Sequence, residues 1–240
     1  MNAQPEGLVA RGRRGYRAAV RASPADPGPS VAFVDVDDTL VDANTMALFL
    51  RHFLRERGRE HELGERVRGL LALDAADPTR ERTNRAYHRQ FAGEDYAVLR
   101  RQGREWLDGA LPRILRESMA AELSRVRARG GRVVLLSGSC EVVVEPLGEA
   151  VGADRVECTR LVVVDGRATG EVELPLVADA KVASAAAVLR EWGVDPSRAA
   201  AYGDHASDLP LLRLVGHGVV VGDDPAMTQA AAANGWRTLR

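Results

Sequence analysis

Two carboxylates stand two residues apart directly after an apolar run, in a pattern that can do chemistry. The apolar residues 31–34 are followed by Asp35 and Asp37, and Thr39 lies two residues further on. Such a run predicts a buried strand of a parallel sheet, and these sheets bind ligands at the carboxyl ends of their strands. The two carboxylates repel each other, and a divalent cation such as Mg²⁺ relieves that repulsion. The alternative is a turn whose acidic residues cap a helix.

Lys181 is the only lysine of the chain, whose other long cationic side chains are all arginine. Lysine presents a compact ammonium, whereas arginine presents a wide planar fork. A chain that otherwise uses arginine is expected to need an ammonium at this one position, as in a crowded anionic site. The alternative is a surface lysine present by chance. Its place between two acidic motifs, at the start of a predicted helix, favours the chemical interpretation.

Two further strand ends carry polar residues. The apolar segment 132–136 leads into a Ser-Gly-Ser turn at 137–139, where a hydroxyl and free backbone N–H groups can hold an anion. The segment 199–202 leads into a Gly-Asp-x-x-x-Asp sequence at 203–208. Each pattern alone is common in ordinary loops. Together with the first two features, they place three motifs at strand ends and one at a helix start, which favours one shared site.

The order of these motifs resembles the haloacid dehalogenase superfamily of phosphate-transferring hydrolases, and the chain is identified as a member over residues 31–240. Within it, the chain looks most like the phosphoserine phosphatase-like branch, on the strength of the segments 159–170, 202–204, 207–212 and 235–236. The resemblance implies an α/β fold, with a doubly wound Rossmann-like parallel sheet and a helical cap inserted after the first strand. It also implies an enzyme, a phosphoric monoester hydrolase acting on a small-molecule phosphate ester.

The chemistry of the residues and the resemblance together assign a role to each candidate. Asp35 is the predicted nucleophile, which forms an aspartyl-phosphate, and Asp37 is the predicted general acid and base. The predicted cofactor is Mg²⁺, bound by the side chains of Asp35 and Asp204 and, as the resemblance implies, by the carbonyl of Asp37. The remaining candidates bind phosphate or support the site: Ser137, Gly138 and Lys181 hold phosphoryl oxygens, Thr39 orients the first loop, and Asp208 positions Lys181 or completes the outer metal shell.

One position departs from the phosphoserine phosphatases. Nine residues after their nucleophile stands a Glu that binds the substrate amine, whereas this chain has Asn44. A neutral amide cannot pair an ammonium with a full charge. We therefore predict that Asn44 faces the leaving group and that phosphoserine is a poor substrate. Arginines of the cap are candidates for reading an acidic leaving group, although a solvated face is the preferred interpretation: Arg51, Arg55, Arg82, Arg85 and Arg89.

The predicted organisation has three parts. An Arg- and Pro-rich tail spans residues 1–30, the catalytic core comprises 31–42 and 116–240, and the helical cap spans 43–115. The cap is predicted to contain helices at 45–57, 61–73, 78–91 and 95–107. The elements expected after it are helix 117–129, strand 132–136, helix 141–151, hairpin 156–173, helix 179–192, strand 199–202, helix 208–215, strand 218–221 and helix 225–234.

The composition limits which binding partners and which cellular compartment are expected. The net charge of −1 gives no general attraction to nucleic acid, and no apolar run approaches a membrane-spanning length. Two cysteines make a disulfide framework improbable and fit a reducing cytoplasm. The Arg-rich tail, with a short predicted helix at 16–21, leaves a nucleic-acid or lipid-binding protein with a vestigial core as one alternative. A phosphotransferase of the same fold is another, and the oligomeric state stays open.

Overall fold

In residues 28–77 and 79–240, which the computed structural model describes, the chain forms two sheets. The strands are β1 (Val31–Asp35), β2 (Arg132–Cys140), β3 (Arg155–Thr159), β4 (Leu161–Val164), β5 (Arg167–Val172), β6 (Ala199–Gly203), β7 (His217–Val221) and β8 (Arg237–Leu239). Six of them form a parallel sheet in the order β3-β2-β1-β6-β7-β8. The other two, β4 and β5, form an antiparallel hairpin.

Helices cover the sheet and form an insert. They are α1 (Thr45–Arg55), α2 (Leu63–Ala76), α3 (Glu81–His88), α4 (Tyr96–Ile114), α5 (Glu117–Ala128), α6 (Glu141–Val151), α7 (Asp179–Trp192), α8 (Leu209–Leu214) and α9 (Pro225–Asn234). Short 3₁₀ turns at Glu60–Glu62, Arg89–Phe91, Pro196–Arg198 and Ala206–Asp208 join some of them. Within the described ranges, every helix is too short or too polar to cross a bilayer.

The central strand β1 is buried along its whole length because helices pack on both faces of the sheet. Its side chains alternate: Ala32 and Val34 pack with α5 and α6, while Val31 and Phe33 pack with α7, α8 and α9. Near-continuous apolar sequence is what a parallel strand covered on both faces requires. This packing holds Asp35 rigidly at the carboxyl end of one of the two central strands.

Helices α1 to α4 lie between β1 and α5 in the chain and have an apolar core of their own. Phe53 and Phe91 meet edge to face, with ring centroids 4.9 Å apart. This core continues onto α6 through a close approach at Gly103, where an added Cβ would lie 2.0 Å from the Val142 carbonyl oxygen. The insert is therefore packed against the core on one side, beside the carboxyl ends of the sheet strands.

The chain enters and leaves the insert through two segments that run side by side. Residues 40–42 and 114–116 are antiparallel and joined by backbone hydrogen bonds. The Asp42 N–H donates to the Ile114 carbonyl at 2.6 Å, and the Arg116 N–H donates across to the first residue of the other segment at 3.1 Å. We call these two segments the connecting ribbon.

Two parts of the core differ from the sequence-based predictions. The predicted hairpin at 156–173 is wrong in its first part, because β3 pairs parallel with β2 at the edge of the main sheet. The hairpin comprises only β4 and β5. The strand β8, which pairs with β7, was not predicted. Both errors concern short strands at the two edges of the sheet, where local sequence carries little information about which strand is the partner.

The insert helices differ mainly at their ends. The helix predicted at 95–107 continues to Ile114, with Pro112 in its last turn. The helix predicted at 61–73 starts with a 3₁₀ turn and ends at Ala76. The helix predicted at 78–91 begins at Glu81 and ends in a second 3₁₀ turn, and position 78 lies outside the described residues. The predicted tail helix at 16–21 and the tail arginines also lie outside them. The division into core and cap stays a prediction.

Candidate active site

Three strand ends and the start of α7 meet at one edge of the sheet. Lys181, in the first turn of α7, donates from Nζ to Asp35 Oδ1 at 2.7 Å and to Asp208 Oδ1 at 3.0 Å. The Lys181 side chain is 7% exposed, and those of Asp35 and Asp208 are 11% and 1% exposed. The only lysine of the chain is therefore enclosed between two carboxylates rather than on the surface.

The charges in this cluster do not balance. Burial raises the pKa of Asp35 to about 8, against the lowering effect of the Lys181 ammonium, and Asp208 adds to the rise. Burial favours the neutral amine of Lys181, but the carboxylates of Asp208 and Asp35 outweigh it and raise the pKa of the ammonium. The lysine therefore stays charged, and the raised pKa of Asp35 shows that one ammonium does not fully compensate two buried carboxylates.

A third carboxyl group, Asp204, lies beside this pair and defines a candidate metal centre. Carboxylate oxygens of Asp35, Asp204 and Asp208 all lie within 4.8 Å of one another. Burial raises the pKa of Asp204 to about 6, and a hydrogen bond from the Thr39 hydroxyl to Asp204 Oδ1 at 2.5 Å lowers it in part. Hard oxygen donors suit Mg²⁺, and a divalent cation offsets the repulsion between them. The donor set therefore fits the predicted cofactor.

The predicted metal set and the observed cluster overlap without being identical. The side chains of Asp35 and Asp204 lie in the cluster, as does Asp208, which was predicted to have a supporting role. The Asp37 carboxylate is bound elsewhere. Its Oδ1 accepts from the Thr45 N–H at 2.5 Å, and its Oδ2 accepts from the Ser139 hydroxyl at 2.5 Å. These contacts hold the Asp37 side chain beside the cluster instead of within it.

Thr45 and Ser139 are functional candidates that the sequence analysis missed. Both are buried, and the Thr45 hydroxyl donates to Ser139 Oγ at 3.0 Å. Thr45 is the first residue of α1, so its N–H has no partner within the helix and is free to bind Asp37. Ser139 stands in the Ser-Gly-Ser turn, which was recognised only as an anion cradle. Polar residues at a helix start and a strand end were the available signal.

The Ser-Gly-Ser turn predicted after the strand 132–136 lies inside β2, which continues to Cys140, and the pairing of β2 with β3 shifts register between Ser137 and Cys140. Gly138 lines the cavity, and an added Cβ would lie 2.9 Å from Val177 Cγ1 and 3.3 Å from Asn84 Nδ2. The buried Ser137 accepts a hydrogen bond at Oγ from the Ser139 N–H at 3.0 Å. Two core residues thus form this predicted phosphate-binding turn, and a residue of the insert, Asn84, contacts it.

The loop after β1 is held by Arg116, which the sequence analysis also missed. Its guanidinium donates to the Asp38 carbonyl at 3.0 Å, to the Thr39 carbonyl at 3.3 Å and to Asp42 Oδ1 at 2.7 Å. Asp38 has φ of 57°, a left-handed conformation that Asp tolerates better than most residues. Asp38 is therefore a turn residue of this loop.

Gly203, at the end of β6, lets Asp208 lie close to the strand, and Asp208 binds Lys181. A Cβ on Gly203 would lie 2.6 Å from Asp208 Cβ. Asp208 in turn accepts from the His205 N–H at 3.3 Å, which closes the loop around Asp204. The Gly-Asp-x-x-x-Asp sequence therefore forms one tight turn that brings both carboxylates to the same edge of the sheet.

A cavity of about 190 Å³ opens above these carboxylates, between the core and the insert. The insert side of the cavity consists of Asn44, Met46, Asp74, Arg80, Thr83 and Asn84. The arginines predicted as candidates do not belong to this lining; four of them are exposed and Arg85 is half-buried. On the insert side of the cavity the cation is Arg80 instead, and its Nε lies 3.1 Å from Asp74 Oδ1. Arg80 lies just before α3 with φ of 63°, a loop position for which sequence spacing offers no signal.

Asn44 lies in the cavity wall, on the side predicted for it, but it also has a structural task. Its Oδ1 accepts from the Ala47 N–H at 2.9 Å and caps α1. An N-cap Asn accepts a hydrogen bond from a backbone N–H that would otherwise have no partner at the helix start. The choice of Asn at this position is thus explained in part by helix stability, and its role toward a leaving group stays a prediction.

Comparisons with known proteins agree with this architecture. Residues 32–213 match the family model described as haloacid dehalogenase-like hydrolase. The "Inhibition of morphological differentiation protein" of Streptomyces azureus is 32% identical over 231 residues, which cover 88% of this chain and 78% of that protein. A phosphoserine phosphatase of Streptococcus thermophilus is 31% identical over 192 residues, covering 78% of this chain and 80% of that protein.

A solved structure of a protein with unknown function from Bordetella pertussis has the same fold. Its TM-score is 0.78 at 22% identity, and the match covers 88% of this chain and 98% of that one. The chain belongs to the haloacid dehalogenase-like hydrolases. The predictions of this family with its phosphoserine phosphatase-like branch, of the fold class and of a phosphatase-type hydrolase are confirmed.

Proposed function

We propose that this phosphatase hydrolyses a small-metabolite phosphomonoester with Mg²⁺, through a phosphorylated Asp35. The observation that carries the proposal is the enclosure of Lys181 between Asp35 and Asp208, with Asp204 within 4.8 Å of both carboxylates. A structural ion pair needs no third carboxylate beside it. A site that brings a dianionic phosphate to an anionic nucleophile needs both an ammonium and a cation-binding group.

In the first step, a carboxylate oxygen of Asp35 attacks phosphorus, and the bond from phosphorus to the leaving oxygen breaks. Asp37 gives its proton to that oxygen, so the alcohol departs neutral. Lys181 and the backbone of Gly138 hold phosphoryl oxygens while charge redistributes, and Ser137 adds its hydroxyl. The rigid attachment of Asp35 to the buried strand β1 supports its role as the attacking group.

In the second step, Asp37 takes a proton from water, the water oxygen attacks phosphorus, and the bond from phosphorus to the Asp35 oxygen breaks. Inorganic phosphate leaves, and the Asp35 carboxylate is restored. Hydrogen bonds from the Thr45 N–H and the Ser139 hydroxyl fix the orientation of Asp37 in both steps. When bound by the carboxylates of Asp35 and Asp204 and by the Asp37 carbonyl, Mg²⁺ supplies positive charge that offsets the repulsion between phosphate and nucleophile.

The cavity supports a small, polar leaving group. Its volume of about 190 Å³ is below that of typical drug-sized pockets. The insert wall offers one cation, one anion and neutral amides, from Arg80, Asp74 and the two asparagines. The two cysteines, Cys140 and Cys158, are both free and buried, which supports action in a reducing compartment such as the cytoplasm.

Phosphate release from amino-acid, sugar, polyol, nucleotide and lipid phosphates, with and without chelator, tests the proposal. Asp35→Asn is expected to lower release by several orders of magnitude, because an amide is no nucleophile. Asp165→Asn, on the exposed hairpin, is the matched control and should match wild type. Acid quenching and mass spectrometry should locate phosphate on Asp35 in wild type.

Three outcomes contradict parts of the proposal. Wild-type rates in Asp35→Asn would exclude the covalent scheme, and full turnover in excess chelator would exclude the metal. Transfer of the phosphoryl group to an added alcohol in preference to water would identify a phosphotransferase of the same fold.

A further inference from the structure

Asn84 joins the helical insert to residues 137–139, the bulged last part of β2. It lies on α3, is 3% exposed, and donates from Nδ2 to the Gly138 carbonyl at 2.6 Å. The two residues are 54 positions apart in the chain. Because a carbonyl only accepts, the amide must present its nitrogen to Gly138. Asn84 Oδ1 is buried without a hydrogen-bond partner in the described ranges, so the Gly138 contact alone orients the amide.

The contact acts on a single peptide unit. The Gly138 carbonyl and the Ser139 N–H belong to the same planar group and point in opposite directions. Asn84 binds the carbonyl end, and Ser137 Oγ accepts from the N–H end at 3.0 Å. The peptide is therefore held at both ends, once by the insert and once by the core. A rotation of the plane would break both bonds together.

This peptide unit leads directly to two proposed reactive groups. Because Ser137 Oγ accepts from the Ser139 N–H, the Ser137 proton remains available to a phosphoryl oxygen. The Ser139 hydroxyl donates to Asp37 Oδ2 at 2.5 Å, so a shift of Ser139 also moves the partner of the general acid. The position of α3 is thus linked to phosphate binding and to proton transfer through one hydrogen bond.

We propose that Asn84 is a positioning residue, which couples the placement of α3 to the geometry of the bulge formed by Ser137, Gly138 and Ser139. The bulge reaches its reactive geometry when α3 lies against it. This inference rests on the proposed phosphatase function. The glycine supports it, since a Cβ at Gly138 would lie 3.3 Å from Asn84 Nδ2 and 2.9 Å from Val177 Cγ1 and would push α3 away.

The kinetic test compares Asn84→Ala and Asn84→Asp with the matched control Arg82→Ala, an exposed residue on the same helix. The substrate is p-nitrophenyl phosphate at saturating Mg²⁺. Asn84→Ala is expected to lower kcat about tenfold, the equivalent of one lost hydrogen bond at the reacting site, with a smaller change in KM. Arg82→Ala should match wild type. An Asn84→Ala enzyme with wild-type kcat and KM overturns the proposal.

The pH profile separates positioning from a merely structural role. In Asn84→Asp, a protonated carboxyl can donate to the Gly138 carbonyl, whereas the ionised form repels it. Burial at this position raises the pKa of the carboxyl above its usual value of about 3.9, so the activity of this variant relative to wild type should fall from about pH 5 to about pH 8, while the ratio for Asn84→Ala stays flat. His88, whose Nδ1 contacts the Asn84 carbonyl, has its pKa lowered by burial to about 4 and stays neutral in this range. Two flat ratios would overturn the proposal.

Amide hydrogen exchange tests the contact independently of turnover. In the free protein, the backbone of α3 should exchange faster in Asn84→Ala than in Arg82→Ala. Equal exchange rates in the two variants would overturn the coupling, whether or not the wild type releases phosphate. If the wild type hydrolyses no phosphate ester while α3 exchanges faster in Asn84→Ala, the proposed function fails and the mechanical link stands.

Discussion

The Thr39 hydroxyl donates to Asp204 Oδ1 at 2.5 Å, although 165 positions separate the two residues. They meet because β1 and β6 are neighbours in the sheet, so the loops after the two strands emerge side by side. Thr39 is fully buried and can satisfy its hydroxyl only within this site. The contact joins the loop that carries the proposed acid to a proposed metal ligand, which makes Thr39 a supporting residue with a measurable effect.

Thr39→Val is expected to weaken the apparent affinity for Mg²⁺ by about 10- to 100-fold, the usual cost of losing a partner that orients a metal ligand. At saturating Mg²⁺, kcat should change much less. Titration of activity with Mg²⁺ measures both. Thr39→Ser keeps the hydroxyl and serves as the control. An unchanged Mg²⁺ requirement in Thr39→Val would show that the contact serves folding alone.

In chelator, wild type is expected to lose stability relative to Asp204→Asn as the pH rises. Burial raises the pKa of Asp204 from 3.8 to about 6, so between these values the folded protein binds more protons than the unfolded chain. Stability then falls with rising pH, whereas an amide does not titrate. Thermal denaturation of both proteins across this window measures the difference. Saturating Mg²⁺ should reverse it, because the ion binds the ionised carboxylate. Parallel curves in chelator would contradict the raised pKa.

Lys181→Arg is expected to be nearly as damaging to kcat/KM as Lys181→Ala. The ammonium is enclosed between Asp35 and Asp208 at 2.7 Å and 3.0 Å, and a guanidinium is too wide for that geometry. Arg190→Lys, on the exposed part of the same helix, should behave as wild type. Circular dichroism would verify that each variant is folded. An Arg variant with unchanged kcat/KM would mean that charge alone matters at this position.

Asn44→Asp is expected to shift preference toward amine-bearing substrates by ~1–3 kcal/mol, if its carboxylate pairs with the amine inside the cleft. Asp keeps the cap on α1, which makes it a better probe than Asn44→Glu, whose longer side chain is not a preferred N-cap. The ratio of kcat/KM for phosphoserine to that for an uncharged polyol phosphate measures the shift. Turnover of a small aryl phosphate is the control and should change little. A wild type that prefers phosphoserine above all other esters would overturn the argument from Asn44.

Asn44→Ala separates the capping role from the substrate role. It should lower the free energy of unfolding by about 1 kcal/mol, because the Ala47 N–H loses its acceptor. Denaturant unfolding measures this cost. A stability equal to that of wild type would show that solvent replaces the cap, and the choice of Asn would then need an explanation from the substrate.

The parts of the site that sequence could predict lie at the ends of buried strands. Asp35 and Asp204 follow apolar runs whose period and length identify parallel strands, and such strands end at a common edge. The contacts of Asn84 and Arg116 depend instead on how the insert lies against the core. That placement results from packing between distant segments, such as Gly103 against α6, and leaves no local pattern. The roles of the site residues stay predictions.

The edge strands also show what local sequence cannot predict. The alternation in β3 is as compatible with a hairpin as with a place beside β2, and only the pairing partner decides between them. Arg80 was missed because a loop residue with positive φ belongs to no periodic pattern. Propensity and spacing describe an element by itself, whereas these features are properties of two elements in contact.

The connecting ribbon also bears on how such a protein can change through evolution. Both crossings of the chain lie side by side, at residues 40–42 and 114–116, and the Arg116 guanidinium ties the outgoing segment to the returning one. A different insert joined here would leave the register of β1 against β2 and β6 in place. It would have to supply again the contacts that Thr45 and Asn84 make with Asp37 and Gly138, so a graft at this junction changes the substrate range only together with part of the reaction centre.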